Sequence, residues 1–247
     1  MRADVQRRRR PARVLGVTLG LAALLAVAGA SAQEPGTENG EWRYQSGDAG
    51  GTRFSPLDQI DASNFSDLEV AWRFKTESLG PRPEFIFQST PLMVDGVLYT
   101  TAGTRRAAVA IDAETGELLW RRPYTTPSTT TSQTPHVYRN DVVEAGRGNG
   151  ITRFRVVREG NAWTTENVWH TDTVSLHMTN GVIVDGVLYG LSHLNSGQYF
   201  GLDLDTGEVL WTSPPRQADN AAIVSAGRTI FSLEADAELV IVAHSRT

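Results

Sequence analysis

The chain of 247 residues contains no cysteine. This absence excludes disulfides, thiolate metal sites, thiol catalysis and the attachment of a lipid to a leader cysteine. A chain without cysteine takes its stability from its core and not from covalent cross-links. Lys75 is the only lysine and lies in a strand-like run, so a lysine-based mechanism has a single weak candidate.

The sequence patterns of several enzyme classes are also missing. Ser175, Ser192 and Ser196 lie in no Gly-x-Ser-x-Gly elbow, so nothing supports a serine hydrolase. There is no phosphate-binding loop and no dinucleotide-binding fingerprint. The five histidines show no metal-ligand spacing, and we expect each of them to be hydrogen-bonded or exposed. These histidines are His136, His170, His177, His193 and His244.

Residues 1–32 are typical of a secretory signal peptide. Four consecutive arginines at 7–10 precede an uncharged apolar run at 14–30, and Ala30-Ser31-Ala32 fits a cleavage site. The alternative is an uncleaved anchor, although the 17 apolar residues are slightly short for a membrane span. We therefore expect a periplasmic or secreted protein.

The charge of the remaining chain limits its partners. The predicted leader carries six arginines and one aspartate, so its removal changes the formal net charge from −5 to −10. Such an acidic chain argues against nucleic acid and anionic membranes as partners. No later stretch is long and apolar enough to cross a bilayer.

Two segments of the chain repeat each other. Residues 94–99 and 110–120 recur at 184–189 and 201–211, including an Asp-x-x-Thr-Gly-x-x-x-Trp motif. The offset of 90 to 91 residues fits two units of about 40–50 residues each. Strand signals dominate both units, with Asp-Gly and Thr-Gly turns between them. The pattern predicts an all-β propeller built from four-stranded blades.

The tryptophans indicate how many blades are present. Trp72, Trp120, Trp169 and Trp211 each end a strand, and a further repeat begins at residue 221. This spacing predicts an incomplete propeller of about four to five blades, with the chain stopping in mid-repeat at Thr247. We expect a fragment, a truncated product or a chain completed by another subunit. We divide the chain into the leader, blades at 33–124, a Thr/Pro/Ser-rich linker or loop at 125–135, and further blades at 136–247.

The first half of the chain resembles a known family. Residues 47–60, residues 68–72, the Thr-Pro-Leu-Met-Val segment at 90–94 and the repeat motif are similar to the opening of pyrroloquinoline-quinone (PQQ) dependent dehydrogenases. These membrane-type glucose and alcohol quinoproteins are eight-bladed propellers, and the likeness covers residues 45–120. Residues 181–246 resemble PQQ-like repeats more loosely, including non-catalytic members such as the propeller of the outer-membrane barrel assembly machinery.

The resemblance implies a quinone held at the hub with calcium and an aspartate as the base. Gln88 occupies a place where the family often has glutamate, and Gln88 can hydrogen-bond a quinone without acting as a charged ligand. Arg105 or Arg106 is implied as the partner of a cofactor carboxylate, which a forked guanidinium suits. The alternative for all three is a solvated loop end. No catalytic residue and no metal ligand after Pro123 matches the family pattern.

The Asp-x-x-Thr-Gly motifs also invite two interpretations. Asp112, Thr115, Asp203 and Thr206 have the oxygen atoms of a calcium site, but they recur wherever the turn recurs, which indicates a role in the turn.

Two functions remain open. One is a quinoprotein-type dehydrogenase of alcohols or sugars without a complete active site in this chain. The other is a non-catalytic propeller that binds envelope proteins. The change of repeat character after Thr125 also admits a recombined or mis-assembled gene.

Overall fold

The computed structural model describes residues 36–76, 89–103, 107–124, 133–160 and 162–246. Within these ranges the chain forms fifteen strands, no α-helix, and short 3₁₀ turns at Glu38–Gly40, Phe65–Asp67 and Leu194–Ser196. The all-β prediction is therefore confirmed. The predicted leader and most of the predicted linker lie outside the described residues, and the boundaries proposed for the domains stay predictions.

The strands form four antiparallel sheets in chain order. Sheet 1 contains β1 (Leu92–Val94), β2 (Val97–Ala102), β3 (Ala107–Asp112) and β4 (Leu118–Pro123). Sheet 2 contains β5 (His136–Tyr138), β6 (Asp141–Gly146), β7 (Gly150–Glu159) and β8 (Ala162–Thr171). Sheet 3 contains β9 (Val182–Val184), β10 (Val187–Ser192), β11 (Gln198–Asp203) and β12 (Val209–Thr212). Sheet 4 contains β13 (Ala221–Ala226), β14 (Thr229–Glu234) and β15 (Leu239–Ala243).

The sheets are the blades of an incomplete propeller, as the repeat predicted. Each consecutive pair of sheets shares an apolar core. Phe154 of sheet 2 packs on Ala108 and Trp120 of sheet 1, and Ile230 of sheet 4 packs on Tyr189 of sheet 3. The core between sheets 2 and 3 contains Val143, Ala145, Ile151, Leu188, Phe200 and Leu202. The blades therefore stack side by side in the order of the chain.

The turns form where the sequence predicts them. Asp95-Gly96 and Asp185-Gly186 join two strands each, with φ of 50° and 78° in the first turn and 48° and 76° in the second. Positive φ at both central residues is the signature of a tight hairpin turn whose twist matches that of the strands. Asp-Gly adopts this geometry at low cost because glycine has no Cβ.

The Asp-x-x-Thr-Gly motif also closes a turn. Asp203 Oδ1 accepts hydrogen bonds from the backbone N–H groups of Asp205 (2.8 Å) and Thr206 (2.9 Å). Asp112 makes the same bonds in sheet 1, and the bond from Thr115 N–H is the largest of the effects that lower the pKa of its carboxyl. The interpretation of these aspartates as turn residues agrees with this geometry.

Two tryptophans dock on the glycine of such a turn. The ring of Trp169 in β8 lies over Gly207 of sheet 3, and its Nε1 donates to the carbonyl of Leu204 at 2.9 Å. The ring of Trp72 lies over Gly116 of sheet 1, and its Nε1 donates to the carbonyl of Ala113 at 3.0 Å. The position between adjacent blades supplies both the apolar contact and the hydrogen bond that a partly buried indole needs.

The second blade departs from the repeat. Its strands β7 and β8 are each ten residues long, and no Asp-x-x-Thr-Gly turn joins them. A buried ion pair ties this blade to the third one. The Arg153 guanidinium contacts the Asp141 carboxylate at 2.6 Å and donates from Nη1 to the carbonyl of Leu204 at 2.7 Å.

The segment before the first blade links the two ends of the array. Trp42 pairs with Met93 of β1 through two backbone hydrogen bonds of 2.9 and 3.1 Å. Further along the segment, the carbonyl of Ala49 accepts a hydrogen bond from Ser225 N–H of β13 at 2.8 Å. The first strands of sheets 1 and 4 are therefore joined through this segment.

Candidate functional site

The three residues predicted to contact a cofactor lie outside the described part of the chain. Gln88 directly precedes Ser89, and Arg105 and Arg106 fall between β2 and β3. Their described neighbours share one end of sheet 1, because the Thr100 hydroxyl donates to Ser89 Oγ at 3.4 Å and Ala102 pairs with Ala107. The roles of Gln88, Arg105 and Arg106 stay predictions.

Polar contacts connect the first strands of all four sheets at this end. Thr134 Oγ1 accepts from the backbone N–H of Thr90 (3.1 Å), and the Thr134 carbonyl accepts from Asn180 Nδ2 (3.2 Å). Thr179 Oγ1 then accepts from the backbone N–H of Ala221 (3.2 Å). These residues precede or begin β1, β5, β9 and β13, and we call Thr90, Thr134, Thr179, Asn180 and Ala221 the inner polar belt.

Buried side chains support the inner polar belt. Gln133 is 2% exposed, and its amide donates to the carbonyl of Thr179 (2.9 Å) and accepts from Met178 N–H (2.6 Å). Thr101 Oγ1 donates to the carbonyl of Gln133 at 3.4 Å. The belt is therefore held by the blades behind it through direct hydrogen bonds.

Several buried polar atoms near this end have no hydrogen-bond partner among the described residues. They include His136 Nε2 at the start of β5 and Asn220 Oδ1 just before β13. Burial lowers the pKa of His136 to about 4, so its imidazole is neutral at pH 7. A neutral imidazole keeps one nitrogen as a donor and one as an acceptor. Buried polar groups without partners are uncommon in proteins and mark places where a ligand can supply the missing bond.

Two further histidines come together at the same end of the neighbouring blade. His177 precedes β9 and His193 follows β10, and their ring centroids lie 5.6 Å apart. Burial, and the positive charge of Arg147, lower the pKa of both imidazoles. His177 Nε2 and His193 Nδ1 are buried without a partner among the described residues.

We expected every histidine to be hydrogen-bonded or exposed, but one buried ring nitrogen each of His136, His177 and His193 has no partner among the described residues. The expectation is correct for His170, whose Nδ1 lies 2.9 Å from Thr152 Oγ1, and for His244, whose Nδ1 lies 2.7 Å from the Tyr189 hydroxyl. The pairing of His177 with His193 depends on which strands are neighbours in sheet 3. His177 and His193 are sixteen residues apart in the sequence, and no sequence pattern predicted that their rings would meet.

A second polar site lies between sheets 1 and 2. This interblade pocket of about 210 Å³ is lined by the side chains of Arg122, Glu144, Asn149, Thr152, Asn167 and His170. Arg122 donates to Glu144 Oε1 at 2.9 Å and to Asn167 Oδ1 at 2.6 Å. Burial raises the pKa of Glu144 to about 7, against the opposing effect of the Arg122 charge. The interblade pocket was not predicted from the sequence, because its residues come from two blades.

Comparison with known proteins identifies the family. Residues 42–157 match the family model described as "Glucose/ethanol/alcohol dehydrogenase, beta-propeller domain" of the PQQ family. Within residues 42–157 the chain is a PQQ-repeat β-propeller. The resemblance of residues 45–120 to quinoprotein dehydrogenases is thereby confirmed.

Relatives of this PQQ-repeat propeller include characterised alcohol dehydrogenases. It is 30% identical over 187 residues to the quinohemoprotein alcohol dehydrogenase ADH IIB of Pseudomonas putida, covering 70% of this chain and 26% of the relative. It is 32% identical over 181 residues to the dehydrogenase subunit of the alcohol dehydrogenase (quinone) of Acetobacter aceti, covering 64% of this chain and 23% of that subunit. The chain spans about a quarter of the length of these curated relatives.

Solved structures support the fold of the PQQ-repeat propeller. The quinohemoprotein alcohol dehydrogenase from Comamonas testosteroni superposes with a TM-score of 0.57 at 22% identity, covering 75% of this chain and 28% of that one. The quinohemoprotein alcohol dehydrogenase ADHIIG from Pseudomonas putida superposes with a TM-score of 0.61 at 19% identity, covering 81% of this chain and 34% of that one. In the described ranges of the chain, no helix has the length and apolar character to span a membrane.

Glu144 makes the stability of this PQQ-repeat propeller depend on pH. Its folded-state pKa of about 7 lies above the ordinary value of 4.5, so the protonated carboxyl stabilises the fold at low pH. That contribution is lost as the pH rises through about 7. We expect the Glu144→Gln variant to gain about 1–3 kcal/mol relative to wild type between pH 4.5 and 7, measured by denaturant unfolding at each pH.

The control for this prediction is Glu166→Gln, which replaces an exposed carboxylate on β8. We expect the control to keep the pH profile of the wild-type protein. A difference between Glu144→Gln and wild type that stays constant between pH 4.5 and 7 would show that folding does not raise the pKa of Glu144.

Proposed function

We propose that this chain is the propeller portion of a quinoprotein dehydrogenase that binds PQQ at the inner polar belt and oxidises an alcohol. The match of residues 42–157 to the dehydrogenase propeller model carries this proposal. The similar proteins from Pseudomonas putida and Acetobacter aceti are alcohol dehydrogenases, which favours an alcohol over a sugar as substrate. The predicted leader supports a periplasmic location.

The described residues at the belt fit the hydrogen-bonding needs of a planar quinone. Thr134 and Asn180 place a hydroxyl and an amide at the hub, and His136 Nε2 and Asn220 Oδ1 are buried there without a partner among the described residues. When bound, the quinone serves as the two-electron acceptor for the alcohol. The neutral imidazole of His136 is suited to orient a polar cofactor edge without adding charge.

Residues outside the described ranges complete the proposed site. We propose that Arg105 or Arg106 binds a cofactor carboxylate through its forked guanidinium and that Gln88 hydrogen-bonds the ring system. The inner polar belt contributes hydroxyl, amide and backbone groups and no carboxylate. Calcium prefers six to eight oxygen ligands that usually include carboxylates. We therefore assign neither a calcium ligand nor a catalytic base to the belt.

The proposal predicts saturable binding of PQQ. We expect PQQ, titrated with and without calcium, to raise the melting temperature of the purified chain, because a ligand at 100 times its dissociation constant stabilises the fold by about 2.7 kcal/mol. The double variant Arg105→Ala/Arg106→Ala should lose most of the shift. The control Arg158→Ala removes an exposed arginine at the opposite end of the second blade and should keep it.

The absence of any PQQ-dependent shift in a well-folded chain would overturn the proposal. The alternative hypothesis, a non-catalytic propeller that binds envelope proteins, would then take its place. A shift that survives in the double variant would keep the cofactor and remove Arg105 and Arg106 from the site.

A further inference from the structure

The interblade pocket between sheets 1 and 2 is a candidate ligand site separate from the inner polar belt. It has a volume of about 210 Å³ and is lined by residues 122–124 at the end of β4 together with residues of the second blade. The described residues that line the pocket include none of the inner polar belt. A ligand in the interblade pocket is therefore held at a different place from the quinone of the proposed function.

The carboxylate of Glu144 has one oxygen atom that is paired and one that is not. Glu144 is 8% exposed, and its Oε1 accepts a hydrogen bond from Arg122 Nε at 2.9 Å. Its Oε2 is buried and has no hydrogen-bond partner among the described residues. A buried acceptor without a partner costs free energy, which a hydrogen-bond donor in the pocket would offset. The pocket therefore favours a ligand that donates to Glu144.

Arg122 supplies the matching donors. A guanidinium has five N–H groups. The Nε of Arg122 donates to Glu144, and its two terminal nitrogens donate to Thr165 Oγ1 at 3.2 Å and to Asn167 Oδ1 at 2.6 Å. Two N–H groups are left without an acceptor among the described residues. The Phe154 ring, whose centroid lies 4.5 Å from Arg122 Cζ, holds the guanidinium in place.

The charges at the pocket disfavour simple ions as ligands. Arg122 and Glu144 carry opposite charges and form an ion pair with each other. An anion attracted by Arg122 would be repelled by Glu144, and a cation attracted by Glu144 would be repelled by Arg122. A neutral group that both donates and accepts hydrogen bonds satisfies the two side chains together. A hydroxyl has this property.

Polar side chains of the second blade also line the pocket. They come from the β6–β7 turn, from β7 and from β8, and they belong to Asn149, Thr152, Asn167 and His170. A molecule with a single polar group contacts only one of these walls. A chain with a hydroxyl on each carbon contacts several of them, because every hydroxyl is both a donor and an acceptor.

We propose that the interblade pocket binds a small neutral polyol, one hydroxyl of which donates to Glu144 Oε2 and accepts from Arg122. A cavity of ~150 Å³ holds benzene, so about 210 Å³ suits a molecule of about eight heavy atoms such as erythritol. Pro123, Tyr124 and Ala145 supply contacts for its carbon atoms. Because this ligand contacts both blades, it stabilises their packing, and it is not the alcohol that the proposed dehydrogenase oxidises.

The first test is a calorimetric titration of the purified chain with erythritol in the absence of PQQ, so its result does not depend on the proposed function. The titration is done at pH 8, above the pKa of about 7 that burial gives Glu144, so that Oε2 acts as an acceptor. We expect saturable binding with a dissociation constant of about 1 mM or tighter. Osmolytes also stabilise proteins by exclusion from their surface, but that effect does not saturate.

Glu144→Gln should weaken the binding of erythritol by about 10-fold or more. The oxygen of the new amide keeps the bond with Arg122, and its NH₂ group puts a donor where Oε2 was the acceptor. The variant should fold, because it removes a buried charge. Glu166→Gln, at an exposed position on β8, is the matched control and should bind erythritol as wild type does. Saturable binding that is absent, or equal in wild type and Glu144→Gln, overturns the proposal.

Two further measurements test the class of ligand and its place. Butylamine, butyrate and butyramide should each bind about 10-fold more weakly than erythritol, and a preference for any of them overturns the assignment to a polyol. In nuclear magnetic resonance spectra, erythritol should shift the ring protons of His170, which lines the pocket. It should not shift those of His244, which contacts Tyr189 in the third blade. Binding that leaves the His170 signals in place overturns the location.

Discussion

Replacing Asp141 with alanine should lower the free energy of unfolding by about 3–5 kcal/mol, because it leaves the buried Arg153 guanidinium with only a longer contact to the half-exposed Asp205, at 3.5 Å. The side chains of Asp141 and Arg153 are 2% and 6% exposed and lie 2.6 Å apart. Arg153 also donates to the carbonyl of Leu204, so it is held between the second and third blades. Loss of the carboxylate therefore weakens the contact between these blades as well as the pair itself.

A matched control separates burial from charge. Arg228→Ala breaks the ion pair between Arg228 and Asp185, whose side chains are 67% and 54% exposed, and should cost at most about 1 kcal/mol. The double variant Asp141→Ala/Arg153→Met should recover most of the loss, because it removes both buried charges. Denaturant unfolding of the four proteins measures these differences. Equal costs for Asp141→Ala and Arg228→Ala would mean that water reaches Arg153 in the folded protein.

The sequence predicted those parts of the fold that depend on local chemistry. The Asp-Gly hairpins, the Asp-x-x-Thr-Gly turns and the strand at Ala107–Asp112 appear where their residues require them. The further repeat predicted from residue 221 is sheet 4, which begins at Ala221 and ends at Ala243. These features follow from glycine conformations and side-chain hydrogen bonds within a few residues.

The second blade was harder to predict because its stability depends on long-range contacts. Its strands β7 and β8, of ten residues each, form a long hairpin. Arg153 replaces the small residue that stands opposite the tryptophan in sheets 1 and 3. A buried arginine in a strand is expected only when a carboxylate lies within reach. Asp141 provides it from twelve residues away across the β6–β7 pair.

The candidate site could be predicted only in outline. The resemblance placed Gln88, Arg105 and Arg106 at loops of the first blade, but it gave no sign of His136 or of the pair formed by His177 and His193. These histidines lie near the inner polar belt, because hydrogen bonds bring the first strands of successive blades together there. Glu144 likewise gains its raised pKa from burial between two blades, which no pattern within β6 encodes.

The docking of tryptophan on glycine predicts a second large effect. A Cβ added at Gly207, where φ is +78°, would lie 2.7 Å from the Trp169 ring. Gly207→Ala should therefore lower the free energy of unfolding by about 2–5 kcal/mol, of which about 1–2 comes from the left-handed backbone and the rest from displacement of the ring. Denaturant unfolding measures the loss, and tryptophan fluorescence reports the movement of the indole.

Gly96→Ala is the matched control, because Gly96 has the same φ of +78° and open space where its Cβ would stand. Its cost should stay near the backbone contribution of about 1–2 kcal/mol, without a change in fluorescence. The difference between the two variants isolates the contact between the second and third blades. Gly116→Ala should behave like Gly207→Ala, since an added Cβ would lie 2.6 Å from the Trp72 ring. If all three substitutions cost the same, the Trp169 and Trp72 rings are not held on these glycines in the folded protein.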